Sequence, residues 1–575
     1  MTGGPGLDPA GLAVLIARLT GVAEEMGAVL RRGAFSPNIK ERADCSAALF
    51  TADGTLLVQA EHIPVHLGSM PASVAAAIAV AGTSPEPGGQ WIVNDPFAGG
   101  THLNDVTLVA PCHTADGRLV GWAANRAHHA DLGGAAPGSL PADATEIQQE
   151  GFRVPPMRFT PEVRQLLVAS SRTPDERRGD IDAQVGANVV GVARLAELAD
   201  EPLDEVIAYG ERRMRAAVGA LPDGTWSATD VLDSTGAGAG QRAPATVAVA
   251  VTVAGEHITF DFAGTDPQGR GNVNAVEAVT VSAAVFALRS AIDPGVPANG
   301  GGLRVISVVA PPGSLVAALP PAAVGAGNVE VSQRVADVCL AALAGAAPDR
   351  VGAASQGTMN NLLIGGDGWV YYETVAGGQG ARPARPGQSA IHTGMTNTRQ
   401  VDPRSGPGVP GQSAIHTGMT NTRQVDPQSG PGVPGQSAIH TGMTNTRNTP
   451  IEALERSFPM RVRRYKIRSD SGGAGSARGG DGIERDLEML EDVTVSLITE
   501  RRDSQPWGLA GGAPGASGEN WLLRGGDESR AEPLPDKCTL RLNAGDVLRM
   551  LTPGGGGWGS PSEWPEDAGP RPGST

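Results

Sequence analysis

The chain has 575 residues, of which 40% are hydrophobic and 18% charged, and a formal net charge of −16. That length accommodates several hydrophobic cores, roughly two to four domains, and the acidic balance excludes nucleic acid and anionic membrane as main partners. No apolar run is long enough to span a bilayer and the first residues, MTGGPGLDPAG, lack a basic stretch before an apolar core, so a soluble cytoplasmic protein is expected.

Residues 8–33 place Leu12, Leu15, Ile16, Leu19, Val22 and Met26 at helical spacing behind an Asp8-Pro9 start. A polar loop, 34–42, then leads into two β-type runs, 47–51 and 55–60, around Asp53-Gly54. Counting outward from that turn sets Cys45 opposite His62 and Glu41 near His66. A Cys–His pair serves as nucleophile and base or as two metal ligands, but packing is the commoner reason for such a pair. The other cysteines, Cys112, Cys339 and Cys538, are far apart with no CxxC spacing, which predicts reduced, mostly buried thiols.

An Ala-rich helix is predicted over 72–82. Next comes NDPFAGGTHLNDVTLVAPCHTADGRLVGWAANRAHHAD, residues 94–131, with runs 106–110 and 119–124 flanking Asp116-Gly117. With those two as the turn, Asp105 faces His128 and Asn104 faces His129. Opposed residues stand about 4.5–5.5 Å apart at Cβ, so the hairpin gathers His102, Asp105 and His128 or His129. Imidazole and carboxylate together suit one divalent cation: zinc, manganese or iron. Strict alternation sends His128 to the side of Asp105 and His129 to the other face; a bulge would reverse that choice. The structural alternative is a polar rim on an ordinary hairpin.

Helical periodicity runs through most of 159–217, and strands are predicted at 225–233, 245–254 and 257–262. Gly236–Gly240 reads as a flexible turn. Helices return at 275–292 and 332–345, preceded by the small-residue stretch 325–330, and the region 450–560 reads as short glycine-rich strands. These elements predict an α+β, multi-domain architecture of mixed helices and antiparallel sheets, with a hairpin-built metal site in the N-terminal half. The expected divisions are 1–217, 218–385, a repeat region 386–447, a β-rich part 448–560 and a disordered tail 561–575.

The block PGQSAIHTGMTNTR occurs three times, from Pro386, Pro410 and Pro434, a period of 24 residues. Each unit offers little to bury, so stacked units could not offset the entropy of ordering them. One copy is expected in the fold, with the remainder looped into solvent at a closure cost that grows only logarithmically. His440 belongs to the copy that runs straight into Asn448-Thr449-Pro450 and is preferred over His392 and His416.

Several separated motifs resemble the hydantoinase B/5-oxoprolinase family, which also contains alpha subunits of acetone-type carboxylases. They include EMGAVLRRGAFSPNIKERADCSAALF, EHIPVHLGSMP, NDPFAGGTHLNDV, NRAHHADLGG, GNVEVSQRVADV, HTGMTNTRNTPIEALE, SGGAGSARGGDGIER and PWGLAGGAPG, in that order over about residues 8–560. The triplication departs from the family pattern. The resemblance implies a subunit working in a hetero-oligomer with a hydantoinase A-type partner that binds ATP, since no GxxxxGK[ST] occurs here. It implies metal ligands at His102, Asp105 and a histidine of the HHAD segment, here His128. Asp131, His129 and His440 are then the candidates for moving protons. The implied substrate is a small cyclic amide, 5-oxoproline or a hydantoin. Alternatives are a ketone carboxylase subunit and a non-catalytic scaffold for the ATPase.

Overall fold

Two hairpins of one design begin the first sheet. The computed structural model describes residues 7–60, 63–236, 238, 242–292, 295–383 and 432–561. The strands β1 (Cys45–Thr51), β2 (Leu56–Ala60), β3 (Trp91–Val93), β4 (Asp105–His113), β5 (Leu119–His128) and β6 (Met157–Arg158) are ordered β2-β1-β5-β4-β3-β6 and pair antiparallel throughout. Both faces are covered, and the strand alternation sorts the side chains between them. Ala47, Leu49 and Ala123 pack with Leu15, Leu19 and Met26 of the helix Pro9–Gly33. Ala48, Phe50, Val109 and Ala124 pack with Met70, Val74 and Ala77 of the helix Met70–Ala81. The first helix is capped as its sequence predicts, with the Asp8 carboxylate accepting the Gly11 N–H at 2.6 Å. The helices Pro161–Ser170, Pro174–Ala196 and Leu203–Val218 fill the stretch read as helical.

A second sheet contains β7 (Gly224–Leu232), β8 (Ala245–Ala254), β9 (His257–Asp261) and β10 (Ile306–Val309), ordered β10-β9-β8-β7 with β9 and β10 parallel. Burial alternates strictly along β8, because one face rests on the helices Glu277–Ala291 and Ser332–Ala346. Towards the C-terminus follow β11 (Asn361–Gly366), β12 (Trp369–Thr374), β13 (Arg382–Pro383), β14 (Gly432–Val433), β15 (Met460–Arg468), β16 (Gly482–Met489), β17 (Val493–Ile498), β18 (Glu519–Leu523), β19 (Ala531–Leu534), β20 (Lys537–Leu542) and β21 (Val547–Leu551). They form the sheets β12-β11-β17-β20 and β15-β16-β21-β18-β19 and the pair β13-β14. The architecture is the multi-domain mixture of helices and antiparallel sheets that the sequence predicts. Its largest core joins Ile63, Leu140, Val251, Phe286, Leu363, Tyr372, Met443 and Ile498, drawing on both sides of the expected divisions at 217, 385 and 447.

Extended glycine-rich segments pack backbone against backbone near the C-terminus. Gly473 N–H donates to Gly555 O, Gly555 N–H to Gly480 O, Gly480 N–H to Gln379 O, and Ala381 N–H to Gly556 O. A Cβ on Gly555 would fall inside the Gln379 carbonyl, so the approach that makes these bonds excludes any side chain.

The chain leaves the described residues after Pro383 and returns at Gly432 beside it, through the β13-β14 pair. The interval between, 384–431, equals two repeat periods. The third copy, from Pro434, is built into the fold with Ile439, His440 and Met443 buried; His392 and His416 lie outside the described residues. So do His62, most of the Gly236–Gly240 turn, and the expected tail beyond residue 561. The small-residue stretch 325–330 is not a loop: Gly327–Val331 forms a π-helical turn that opens the helix Ser332–Ala346.

Candidate metal centre

Asp105 pairs with His128 across β4 and β5, as counted from the turn, but two offsets cancel to give that result. The loop holds three residues, Ala115, Asp116 and Gly117, closed by Gly117 N–H to Thr114 O and Thr114 N–H to Arg118 O, with Gly117 left-handed at φ 87°. That shifts the register by one residue. A bulge between Cys112 and His113 shifts it back, and the β1-β2 hairpin contains the same kind of shift between Leu49 and Phe50.

Alternation then decides which histidine faces which way. Asp105 and His128 share a face with Thr107 and Arg126, whose guanidinium reaches Thr107 Oγ1, Ser69 Oγ and Ser73 Oγ. His102 arrives on the loop before β4. His102 Nε2 lies 3.1 Å from Asp105 Oδ1 and 3.1 Å from His128 Nδ1, and His128 Nδ1 lies 3.3 Å from Asp105 Oδ1. Ligands bound at about 2.0–2.2 Å in tetrahedral or octahedral arrangement stand roughly 3.0–3.5 Å apart, so this triangle has the dimensions of three corners of a coordination shell. Among the described residues, these three form the cluster of His, Cys, Asp and Glu able to share one ion.

The surroundings prepare the three groups for a cation. Thr101 Oγ1 donates to Asp105 Oδ2 at 2.6 Å and His66 Nε2 lies 3.4 Å from the same oxygen, while the buried Oδ1 faces only the two imidazole nitrogens among the described residues. Burial holds His128 down to about 4 and lowers His66 as well, so both imidazoles are neutral near pH 7. Burial opposes the Asp105 charge, but the surrounding imidazoles outweigh it and keep the carboxylate ionised. Asp44 is pushed up to about 7 by burial, against the pull of Arg42 and with the nearby Asp105 adding to the rise. A carboxylate oxygen and two imidazole nitrogens converging within 3.1–3.3 Å of one another fit a divalent ion.

The other candidates lie elsewhere. His129 faces the helix Pro174–Ala196, with Nε2 2.8 Å from Gln184 Oε1 and Nδ1 accepting from Arg177. Burial and then Arg177 lower its pKa. Asp131 accepts hydrogen bonds from the backbone of Gly133, Gly138 and Arg172 and from the Arg172 guanidinium, so both oxygens are committed to a turn. His440 Nε2 lies 3.0 Å from Asn448 Oδ1, and burial lowers it to about 4. Cys45 is buried with its thiol pushed up to about 12, unsuited to nucleophilic work. His66, expected near Glu41, instead meets Asp105 and Ser46 Oγ, the latter at 2.9 Å. It was not legible as part of the site. Tyr372 was also missed: its ring stacks on His128 at 4.8 Å between centroids. The buried stretch IPVHLGSM, residues 63–70, was the available signal for His66, since a polar ring amid apolar neighbours needs a partner.

Comparison with known proteins follows the same outline. The chain matches the family described as hydantoinase B/oxoprolinase over residues 8–404 and 428–561, passing over part of the repeats. It is 37% identical to an uncharacterised protein of Methanocaldococcus jannaschii, covering 97% of this chain and 92% of that one. Identity to 5-oxoprolinase 1 of Arabidopsis thaliana is 34% over 96% of this chain but 42% of the plant protein, so the chain spans about two fifths of that relative. A putative D-/L-hydantoinase subunit of a Pseudomonas species is 28% identical, covering 97% of this chain and 91% of its own length. Among solved structures, the ATP-dependent caprolactamase from Pseudomonas jessenii superposes with a TM-score of 0.81 at 26% identity, covering 98% of this chain and 93% of that one. Nucleotide-free acetone carboxylase shares the fold, with a TM-score of 0.77 at 17% identity over 96% of this chain and 76% of its own.

Proposed function

From the premise that this chain belongs to the hydantoinase B/oxoprolinase family, we propose that it is the metal-bearing subunit of an ATP-dependent hydrolase of small cyclic amides, of the 5-oxoproline or hydantoin kind. The observation that carries this reading is the triangle of His102 Nε2, Asp105 Oδ1 and His128 Nδ1. The chain spans about two fifths of a 5-oxoprolinase, and another relative, matched over nearly its whole length, is named as one subunit of a hydantoinase. Both support a separate hydantoinase A-type partner that binds ATP and activates the amide, in a hetero-oligomer.

An unactivated lactam resists attack because resonance weakens its carbonyl. Phosphorylation of the oxygen by the partner gives an imidate-like carbon with a good leaving group, open to water. His102, Asp105 and His128 would hold a divalent ion, whose chemistry there would be Lewis acidity towards water. The protein's own contribution is orientation. Thr101 and His66 hold Asp105 Oδ2, leaving Oδ1 turned to the two imidazoles, and burial keeps His128 a neutral lone-pair donor. Of the expected proton carriers, we assign Asp131 and His129 to holding the turn that follows His128. His440 serves to fix Asn448, whose amide donates to Glu373 and Thr374 O of β12.

Metal analysis of the purified chain and of His102→Ala, followed by phosphate release with the partner, ATP and a panel of lactams and hydantoins, tests the reading. Full turnover by a metal-free protein or by His102→Ala would sink it in favour of a scaffold. A bicarbonate requirement would move the protein to the carboxylase branch.

A further inference from the structure

We propose that Tyr372 is a positioning residue for the metal centre, acting through His128; the inference rests on the metal-site reading above. Tyr372 belongs to β12, in a different sheet from His128, and tertiary packing brings the two together. The phenol ring lies on the imidazole with centroids 4.8 Å apart and planes 17° from parallel. Polar contacts fix His128 on one side only: Nδ1 meets His102 and Asp105, while Nε2, buried, has no hydrogen-bond partner among the described residues. A histidine χ2 is a broad, soft torsion. The flat stack therefore sets the plane of the ring, and the Nδ1 contacts choose between its two flips.

The phenol is itself held firmly at both ends. Its hydroxyl donates to Asn361 Oδ1 at 2.8 Å. The Asn361 amide is oriented by donating to Glu330 Oε1 at 2.8 Å and to Ile498 O at 2.9 Å. At the other end, Arg42 donates to the Tyr372 carbonyl at 2.6 Å and its guanidinium lies 4.7 Å from the ring centroid. Arg42 also donates to Arg447 O at 3.3 Å and accepts Arg447 N–H at 2.9 Å through its carbonyl, so the third repeat copy is tied to the same residue. The Glu330–Asn361–Tyr372 chain thus carries the placement of the π-helical turn and of β11 to one metal ligand.

Titration of the purified full-length chain with Zn(II) against a chromogenic chelator, and with Co(II) by visible absorption, tests this without any turnover. Groups that orient a ligand typically contribute 10–100-fold to metal affinity. Tyr372→Leu removes the stack and is expected to raise the dissociation constant at least about 10-fold and to change the Co(II) spectrum. Tyr372→Phe keeps the stack, with an expected rise well below that of Tyr372→Leu and a wild-type spectrum. Wild-type affinity and spectrum in a folded Tyr372→Leu would overturn the inference while leaving the metal site intact, provided His102→Ala still loses the ion. Should Tyr372→Leu not fold, Tyr372→Met decides it: its side chain fills the space without a flat ring, and wild-type affinity and spectrum in it overturn the inference. A wild-type chain that binds neither ion overturns the metal reading and this inference together.

Discussion

Asp105 divides its two oxygens between two tasks, and the division is what makes the site specific. Replacing it with Asn leaves one oxygen to serve both tasks and removes the charge. Asp105→Asn and His102→Ala should each purify with less than about a tenth of the wild-type metal content by plasma emission spectrometry. Added Zn(II) at 100 times its dissociation constant should stabilise the wild type by about 2.7 kcal/mol and these variants hardly at all, read as thermal shifts. A second residue gives a pH signature. Glu150 accepts the Val324 and Gly325 N–H groups at 3.1 and 2.8 Å, and burial raises its pKa to about 7 from an ordinary 4.5. A raised folded-state value means its stabilising contribution is complete below about pH 4.5 and lost as pH climbs through 7. The stability difference between wild type and Glu150→Gln should accordingly move by about 3 kcal/mol, against the wild type, between about pH 5 and pH 8 in urea titrations.

Among the elements, the two bulged hairpins show how local rules produce a site. Alternation splits the adjacent pair His128-His129 between two faces, one towards Asp105 and one towards Gln184. Swapping their roles would need the extra residue of a bulge at that end of β5, and the bulge lies at the turn end instead. The glycine-rich bundle follows a stricter rule, because its hydrogen bonds require backbones closer than any Cβ allows. Gly555→Ala, set against the Gln379 carbonyl, should cost more than about 3 kcal/mol or prevent folding, whereas Gly117→Ala, in open space at the hairpin turn, should cost about 1 kcal/mol for its positive φ. Chemical denaturation of both compares them. Gly432, Val433 and the third repeat copy supply the contacts seen in the fold, so replacing residues 384–431 with a short Gly/Ser linker should leave the described secondary structure and the metal content unchanged. Closing a shorter loop should leave stability equal or raise it by up to about 2 kcal/mol, and a deletion variant that fails to fold would show that the earlier copies contribute contacts.

Across the molecule, the sheets are locked to one another by a buried ionic network. Lys537 meets Glu500 and, at 2.9 Å, Asp536. Arg334 joins Glu500 at 3.3 Å to Asp230 of β7 at 2.9 Å, and Arg501 joins Asp230 at 2.6 Å to Asp337 at 2.9 Å. Burial opposes the Lys537 charge, but Glu500 and Asp536 outweigh it and hold the ammonium protonated. Lys537→Met leaves Glu500 with Arg334 alone and Asp536 with the partly exposed Arg242, and should destabilise the chain by about 3 kcal/mol, loosening the second sheet against the third; hydrogen exchange along β7 and β20 would report it. The amphipathic helices, the strand alternation and the Asp105–His128 pairing were legible in the sequence, because each is set by neighbours a few residues away along the chain or across one turn. His66 and Tyr372 were not, because they reach the metal centre through packing between segments whose separation in sequence carries no periodic signal. The chain alone thus determined that His102, Asp105 and one histidine of the adjacent pair meet at the hairpin; only the tertiary structure decided which histidine it is and what holds the groups in place, since the bulge, burial and long-range stacking exist only once the sheets have closed on each other.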